Sequence, residues 1–212
     1  MTTDAQSRYN DSPFKFIGGD PSIDFVDTAD YTARGIESDR FSSYERVIEW
    51  GMSGGFFSAA DASALMKLAK QNPRRATRVH GAAVELRSTL EEILRALVEK
   101  RDPSGAIARL NEGILRDALR ALSIVRDAKG GIALTWPAAS RTLETPLHRV
   151  AWAAAQLLAS PDIARLRRCP GPDCGWYYLD RSRNGFRRWC EMSECGTKVK
   201  SLKRAERRHS AE

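Results

Sequence analysis

Apolar residues recur along most of this chain with a helical period. From Pro73 to about residue 100, Val79, Ala82, Ala83, Leu86, Leu90, Ile93, Leu94 and Leu97 return near every 3.6 residues, the stripe a helix needs to pack on a core. The stretch SSYERVIEWGMSGG repeats this on a shorter scale. Tyr44, Val47, Ile48 and Met52 share a face, Ser42 and Glu45 have capping-box spacing, and Gly54-Gly55 ends the run. SAADASALMKLAKQN predicts another helix, opening at Ser58 and closing before Pro73. Beyond the break Asp102-Pro103-Ser104-Gly105, one helix is expected to run to about Leu119. The last is capped by Thr145 with Pro146 at its first position, and carries Val150, Trp152, Ala155, Leu157 and Leu158.

Two stretches depart from that period. In FKFIGGDPSIDFVDT, short apolar runs flank Gly18-Gly19-Asp20-Pro21, which predicts a small hairpin or a strand–turn–helix. In ALSIVRDAKGGIALTWP, Ile124, Val125, Ile132, Leu134 and Trp136 bracket Lys129-Gly130-Gly131, a β-hairpin pattern. Asp24, Asp27 and Asp30, three residues apart, read as turn and cap formers. The chain thus divides into a mainly α domain with a small β-sheet or hairpin (α+β), residues 1–164, and a small module, 165–212.

Composition adds class and partner. With 42% hydrophobic and 29% charged residues the chain is a soluble globular protein, and no apolar run approaches the ~18–20 residues that span a bilayer. The polar N-terminus, MTTDAQSRYNDSPFKF, has no apolar signal core, so the expected compartment is cytoplasmic, with no membrane partner. The net charge of +7 is concentrated: residues 165–209 hold thirteen Lys/Arg against five Asp/Glu. Such asymmetry points to an anionic partner for the basic part.

That part also holds all four cysteines, as two C-x4-C pairs, Cys169/Cys174 and Cys190/Cys195, fifteen residues apart. Four thiolates suit one tetrahedral, structural zinc, whose ligation supplies folding energy a short segment cannot draw from a core. Disulfides and an iron–sulfur cluster are the alternatives; a C-x-x-C redox pair is absent. A site closed by four protein ligands offers no position for substrate. His80, His148 and His209 are scattered, and no G-x-S-x-G, P-loop or H-E-x-x-H occurs, so the chain reads as a binding protein and not an enzyme.

Between the cysteine pairs stand Arg181, Arg183, Asn184, Arg187 and Arg188, interleaved with aromatics whose expected place is a mini-core over the metal. Past Cys195, GTKVKSLKRAERRH predicts a basic C-terminal helix. Lys200, Lys203, Arg204, Arg207 and Arg208 fall on one face, Lys198 lies nearby, and Val199, Leu202 and Ala205 are placed to pack on the finger. Two cationic clusters beside a metal site make DNA the expected partner. RNA, read through stacked aromatics, is the alternative, as is a small-molecule sensor or enzyme with a purely structural zinc module.

The segment CPGPDCGWYYLDRSRNGFRRWCEMSECGTKVK closely resembles the CGNR zinc finger, a bacterial C-terminal module built around FLDxSRNxxRRWC and a closing CGNRxK. The preceding part is similar to the ABATE domain, through FIGGDPSIDFVDT, LNEGIL and the AWAAAQLLAS helix. The resemblance implies a zinc-binding, DNA-binding transcription regulator. The chain departs from it at Thr197 and Lys198, where the family has Asn-Arg, and at Asp27, where the N-terminal motif has Asn. Loss of that arginine removes a bidentate base contact. Domain order assigns ligand sensing or homodimerisation to the N-terminal domain, with Trp50, Arg87 and Trp152 as candidate pocket residues for a small-molecule effector.

Overall fold

Helix α1 (Pro21–Val26) begins where the extended Asp20 accepts the N–H of Ser22, with proline at the first position, where an N–H would be unused. The computed structural model describes residues 14–32, 35–126, 130–137, 141–172 and 174–209. The apolar run ahead of α1 forms no ladder; the expected strand–turn–helix is a turn and helix only. An unforeseen hairpin follows directly, β1 (Ala29–Thr32) paired antiparallel with β2 (Gly35–Asp39). Its polar sequence lacks the alternation that marks a half-buried strand, so it left no signal.

Helices α2 (Tyr44–Ser53), α3 (Ala59–Gln71), α4 (Pro73–Val98) and α7 (Thr145–Leu158) stand where the sequence places helices, but Thr145 is the first residue of α7 and not its cap, Glu144 preceding it, and Met52 of α2 is exposed. Ser58 and Asp61 form the capping box of α3. At α2 the residue before the helix is Ser43, not Ser42, and it makes no side-chain cap bond. The single helix expected up to Leu119 is instead α5 (Ser104–Leu110) and α6 (Arg116–Ala121), divided by a π turn over Asn111–Leu115 in which Gly113 leaves helical geometry. Strands β3 (Ser123–Arg126) and β4 (Ile132–Thr135) form the foreseen hairpin, with Ile124 opposite Leu134; Lys129 of its turn lies outside the described residues.

Helix α4 is the spine of the core. Its Val79, Ala83, Leu86, Leu90, Ile93 and Leu94 are buried with Ile23 and Phe25 of α1, Leu65 of α3 and Leu147 and Val150 of α7. The same core takes in residues from the cysteine module. There β5 (Leu166–Arg168) pairs antiparallel with β6 (Tyr177–Leu179), and Leu166, Tyr177 and Leu179 join the main cluster. Successive side chains of a strand point to opposite faces. Tyr178, between two residues of the main core, accordingly enters a second cluster with Cys169, Trp176 and Cys190. Strand β6 is shared by both cores.

A π turn at Met192–Gly196 leads into α8 (Thr197–His209). No helix among the described residues is long and apolar enough to cross a membrane.

Candidate metal centre and nucleic-acid interface

The four cysteine sulfurs lie within 4.8 Å of one another, and none is in a disulfide. Cys174 and Cys190 sulfurs are 3.5 Å apart, and those of Cys190 and Cys195 3.6 Å. Tetrahedral zinc–thiolate bonds of ~2.3 Å require sulfur separations of this order. The backbone is shaped to the cluster. A Cβ on Gly171 would sit 3.0 Å from the Cys195 sulfur and 3.4 Å from that of Cys169, so glycine lets the first turn lie close over them. Cys169 N–H donates to the Trp176 carbonyl at 2.8 Å, which extends the β5–β6 ladder into the cysteine turn.

The electrostatics also ask for a cation. Hydrogen bonds from Cys174 and Cys190 pull the Cys169 thiol down, while hydrogen bonding to Cys169 pushes Cys174 and Cys190 up, and burial raises Cys195. One thiolate is thus stabilised at the expense of its neighbours. A divalent ion satisfies all four sulfurs, and Cys169, Cys174, Cys190 and Cys195 would hold it as one closed structural zinc site.

The finger is fixed to the helical domain along the outer edge of β6. Tyr177 N–H donates to the Asp27 carboxylate at 2.9 Å, and Leu179 N–H to the Gly18 carbonyl at 2.8 Å. Trp176 Nε1 donates to Asp30 at 2.7 Å, and Arg40, paired with Asp30, covers the Trp176 ring. Tyr177 hydroxyl reaches Glu91 of α4 at 2.9 Å. Gly175 has φ +72, and a Cβ there would lie 1.9 Å from the Tyr31 carbonyl oxygen. Lys15 pairs with Glu191 and Glu194 from the other side. The expectation for the aspartates is therefore corrected. Asp24 does close a local loop, accepting Gly18 N–H at 2.8 Å, but Asp27 and Asp30 hold a segment about 150 residues downstream.

Comparison with known families matches residues 165–209 to the CGNR zinc finger and residues 19–161 to ABATE, described as "Putative stress-induced transcription regulator". The chain belongs to the ABATE family. Among curated proteins, none matches it. The ABATE domain and the CGNR finger meet at the shared strand, so the metal centre is built on the domain that precedes it.

The cationic residues of the finger fall into different environments. Arg183, Asn184 and Arg188 are exposed, and Arg181 pairs with Asp162 at 3.2 Å. Arg187, expected at the nucleic-acid surface, is half-buried and bonded within the protein. Its Nε donates to the Trp189 carbonyl at 3.0 Å, its Nη2 to the carbonyls of Ile17 and Cys190, and its guanidinium lies 4.4 Å over the Tyr178 ring. Arg167 and Arg168, which sequence reasoning passed over, line one groove with Arg187 and Arg188. The signal for them was the basic run directly ahead of Cys169.

On α8, Lys200, Lys203, Arg204 and Arg207 line one surface with Thr197 and Ser201, and Arg208 and Lys198 are exposed on the same helix. Only Val199 of its apolar residues is half-buried. Leu202 and Ala205 are exposed, against the expectation that they pack on the finger, because the helix extends past the module's small core.

The three candidate pocket residues of the ABATE domain are not brought together. Trp50 is buried in an aromatic cluster, 5.2 Å from Phe25 and 4.8 Å from Phe56, beside a cavity of about 150 Å³ that includes neither of the others. Arg87 is fully buried and binds Asp39 through Nη1 and Nη2, and Thr28 through Nη1 at 3.1 Å. Burial opposes ionisation of Asp39, but the hydrogen bonds from Arg87 hold its carboxyl below the usual range. Trp152 is half-buried on α7. Arg87 serves the fold, tying α4 to β2.

Proposed function

We propose that this protein is a non-enzymatic, cytoplasmic transcription regulator that grips duplex DNA through its zinc finger and basic C-terminal helix. The observation that carries the reading is the surface of α8, where Lys200, Lys203, Arg204 and Arg207 stand side by side on a helix that begins next to Cys195. Cations spaced along one helical face suit a phosphate backbone, and the metal fixes the helix relative to the arginines of the finger. The family description, a stress-induced transcription regulator, supports the regulatory part. In this reading the ABATE domain is the input, responding to a small effector or to a second copy of the chain, and β6 carries its state to the finger.

Fluorescence anisotropy with a mixed-sequence duplex, repeated over a range of salt, tests it. Engagement of five phosphates gives a slope of log affinity on log salt near about −4.5. Lys203→Glu with Arg207→Glu should weaken binding on every sequence and flatten the slope. Unchanged affinity in the double variant, or stronger binding of structured RNA by the parent protein, would sink the proposal.

A further inference from the structure

The finger carries five aromatic side chains, and four of them are accounted for by the fold. Trp176, Tyr177 and Tyr178 are buried, each with its polar atom bonded, and Trp189 packs against the cysteine cluster. Phe186 is the exception. It is 80% exposed, against the expectation of a mini-core, and has no polar atom to justify the position.

Nor is it on a slack loop. Asp180, itself buried, accepts the N–H groups of Ser182 and Arg187, both at 3.0 Å. Ser182 in turn accepts Phe186 N–H at 3.2 Å, and Gly185 supplies the left-handed turn at φ +68. The ring is held out by a built scaffold. It stands in a groove of about 500 Å³ whose walls include Arg167, Arg168, Arg187 and Arg188, with no carboxylate lining it.

We infer that Phe186 is a wedge that inserts between stacked bases of duplex DNA while the exposed Arg167 and Arg188 beside it hold the flanking phosphates. An apolar ring in a ring of cations matches a ligand that is anionic outside and aromatic within. Side chains of this kind partly unstack a base step and kink the helix, most cheaply at flexible pyrimidine–purine steps. A preorganised wedge gives the finger a preference for deformable DNA that needs no bidentate base contact. This matters here, because the arginine of the family's Asn-Arg pair is replaced by Lys198.

The inference rests on the duplex-DNA reading above. It is tested on the full chain with two duplexes, one centred on a TA step and one on an A-tract, end-labelled with a donor–acceptor pair that reports bending. Wild type should bind the TA duplex more tightly and bend it. Phe186→Ala, a change at an exposed side chain, should bind it about tenfold more weakly, the scale of one aromatic–base stack, without bending and without preference between duplexes, but with the salt slope intact. Phe186→Leu should keep part of the bend. If Phe186→Ala binds and bends as wild type does, while Lys203→Glu with Arg207→Glu still weakens binding, the wedge is wrong and the DNA reading stands. Tighter binding of a single strand, equally dependent on Phe186, overturns insertion into a duplex. Absence of binding by wild type overturns both.

Discussion

The Asp27 carboxylate accepts the backbone N–H of Tyr177 at 2.9 Å, joining the start of the ABATE domain to the strand that carries the metal site. Its second oxygen is buried without a partner, and burial pushes the carboxyl well above its usual range. The neutral acid is the form the fold favours, and it presents to Tyr177 what the amide of the family's Asn would present. Asp27→Asn should leave stability unchanged or raised. Asp27→Ala strands a buried N–H and should cost about 1–3 kcal/mol in urea unfolding. Equal loss in both variants would show that charge is needed there.

Asp24 and Asp27 should also set a pH dependence. Burial raises Asp24 to about 7 and Asp27 in the same direction, whereas an unfolded carboxyl ionises near pH ~4. Between those values the unfolded chain releases protons that the folded chain keeps. The contribution of Asp24 is therefore full below pH ~4 and is lost as pH rises through about 7, and that of Asp27 is lost in the same sense as pH rises. The melting temperature of wild type, compared with Asp24→Asn and Asp27→Asn, should fall across that window and the difference should then level off. Parallel pH profiles in all three would refute it.

Removing the metal should be felt beyond the finger. Protein purified without chelator is expected to hold about one zinc, as four close cysteine ligands imply. Chelation, or Cys190→Ser, should expose Trp176 and Trp189 and red-shift their emission. It should also lower the cooperative melting temperature of the whole chain, because Tyr177 and Leu179 leave the main core with β6. A finger that melts alone, with the ABATE transition unmoved, would contradict the shared strand.

Two left-handed glycines separate backbone strain from contact. Gly55 has φ +74 with open space around it, whereas a Cβ on Gly175 meets the Tyr31 carbonyl oxygen at 1.9 Å. Gly55→Ala should cost about 1–2 kcal/mol for its conformation. Gly175→Ala should cost clearly more and loosen the finger from the hairpin, read as faster hydrogen exchange at Tyr177 and Leu179.

Adjacent arginines should part company. Arg187→Ala removes a strut bonded to three carbonyls and should destabilise the finger by about 1–3 kcal/mol. Arg188→Ala, at an exposed position, should leave melting unchanged, weaken duplex binding and reduce the salt slope by about 1. The reverse assignment would show in the same two measurements.

Periodicity made the long elements legible: α4 through its leucine stripe, α3 through Ser58 and Asp61, the β3–β4 hairpin through its Gly-Gly turn. The cysteines declared one metal site, because four soft ligands in 27 residues have few other uses. What stayed hidden depends on tertiary contact. The β1–β2 hairpin is too polar to alternate, and Asp27 looks local until Tyr177 arrives. Nothing in a count of charges distinguishes Arg187, which is spent internally, from Arg188. Phe186 could be separated from four similar aromatics only by seeing which of them the fold buries.

Cutting this protein at its apparent seam would not yield two working halves. A fragment starting near residue 165 keeps all four zinc ligands, yet it leaves Leu166, Tyr177 and Leu179 facing water and two strand N–H groups without acceptors. The complementary fragment would present an open apolar socket. The zinc finger is thus not an autonomous cassette. It cannot be transplanted to another carrier unless Asp27, Gly18 and the floor provided by α4 travel with it, and its orientation is inherited from the ABATE domain.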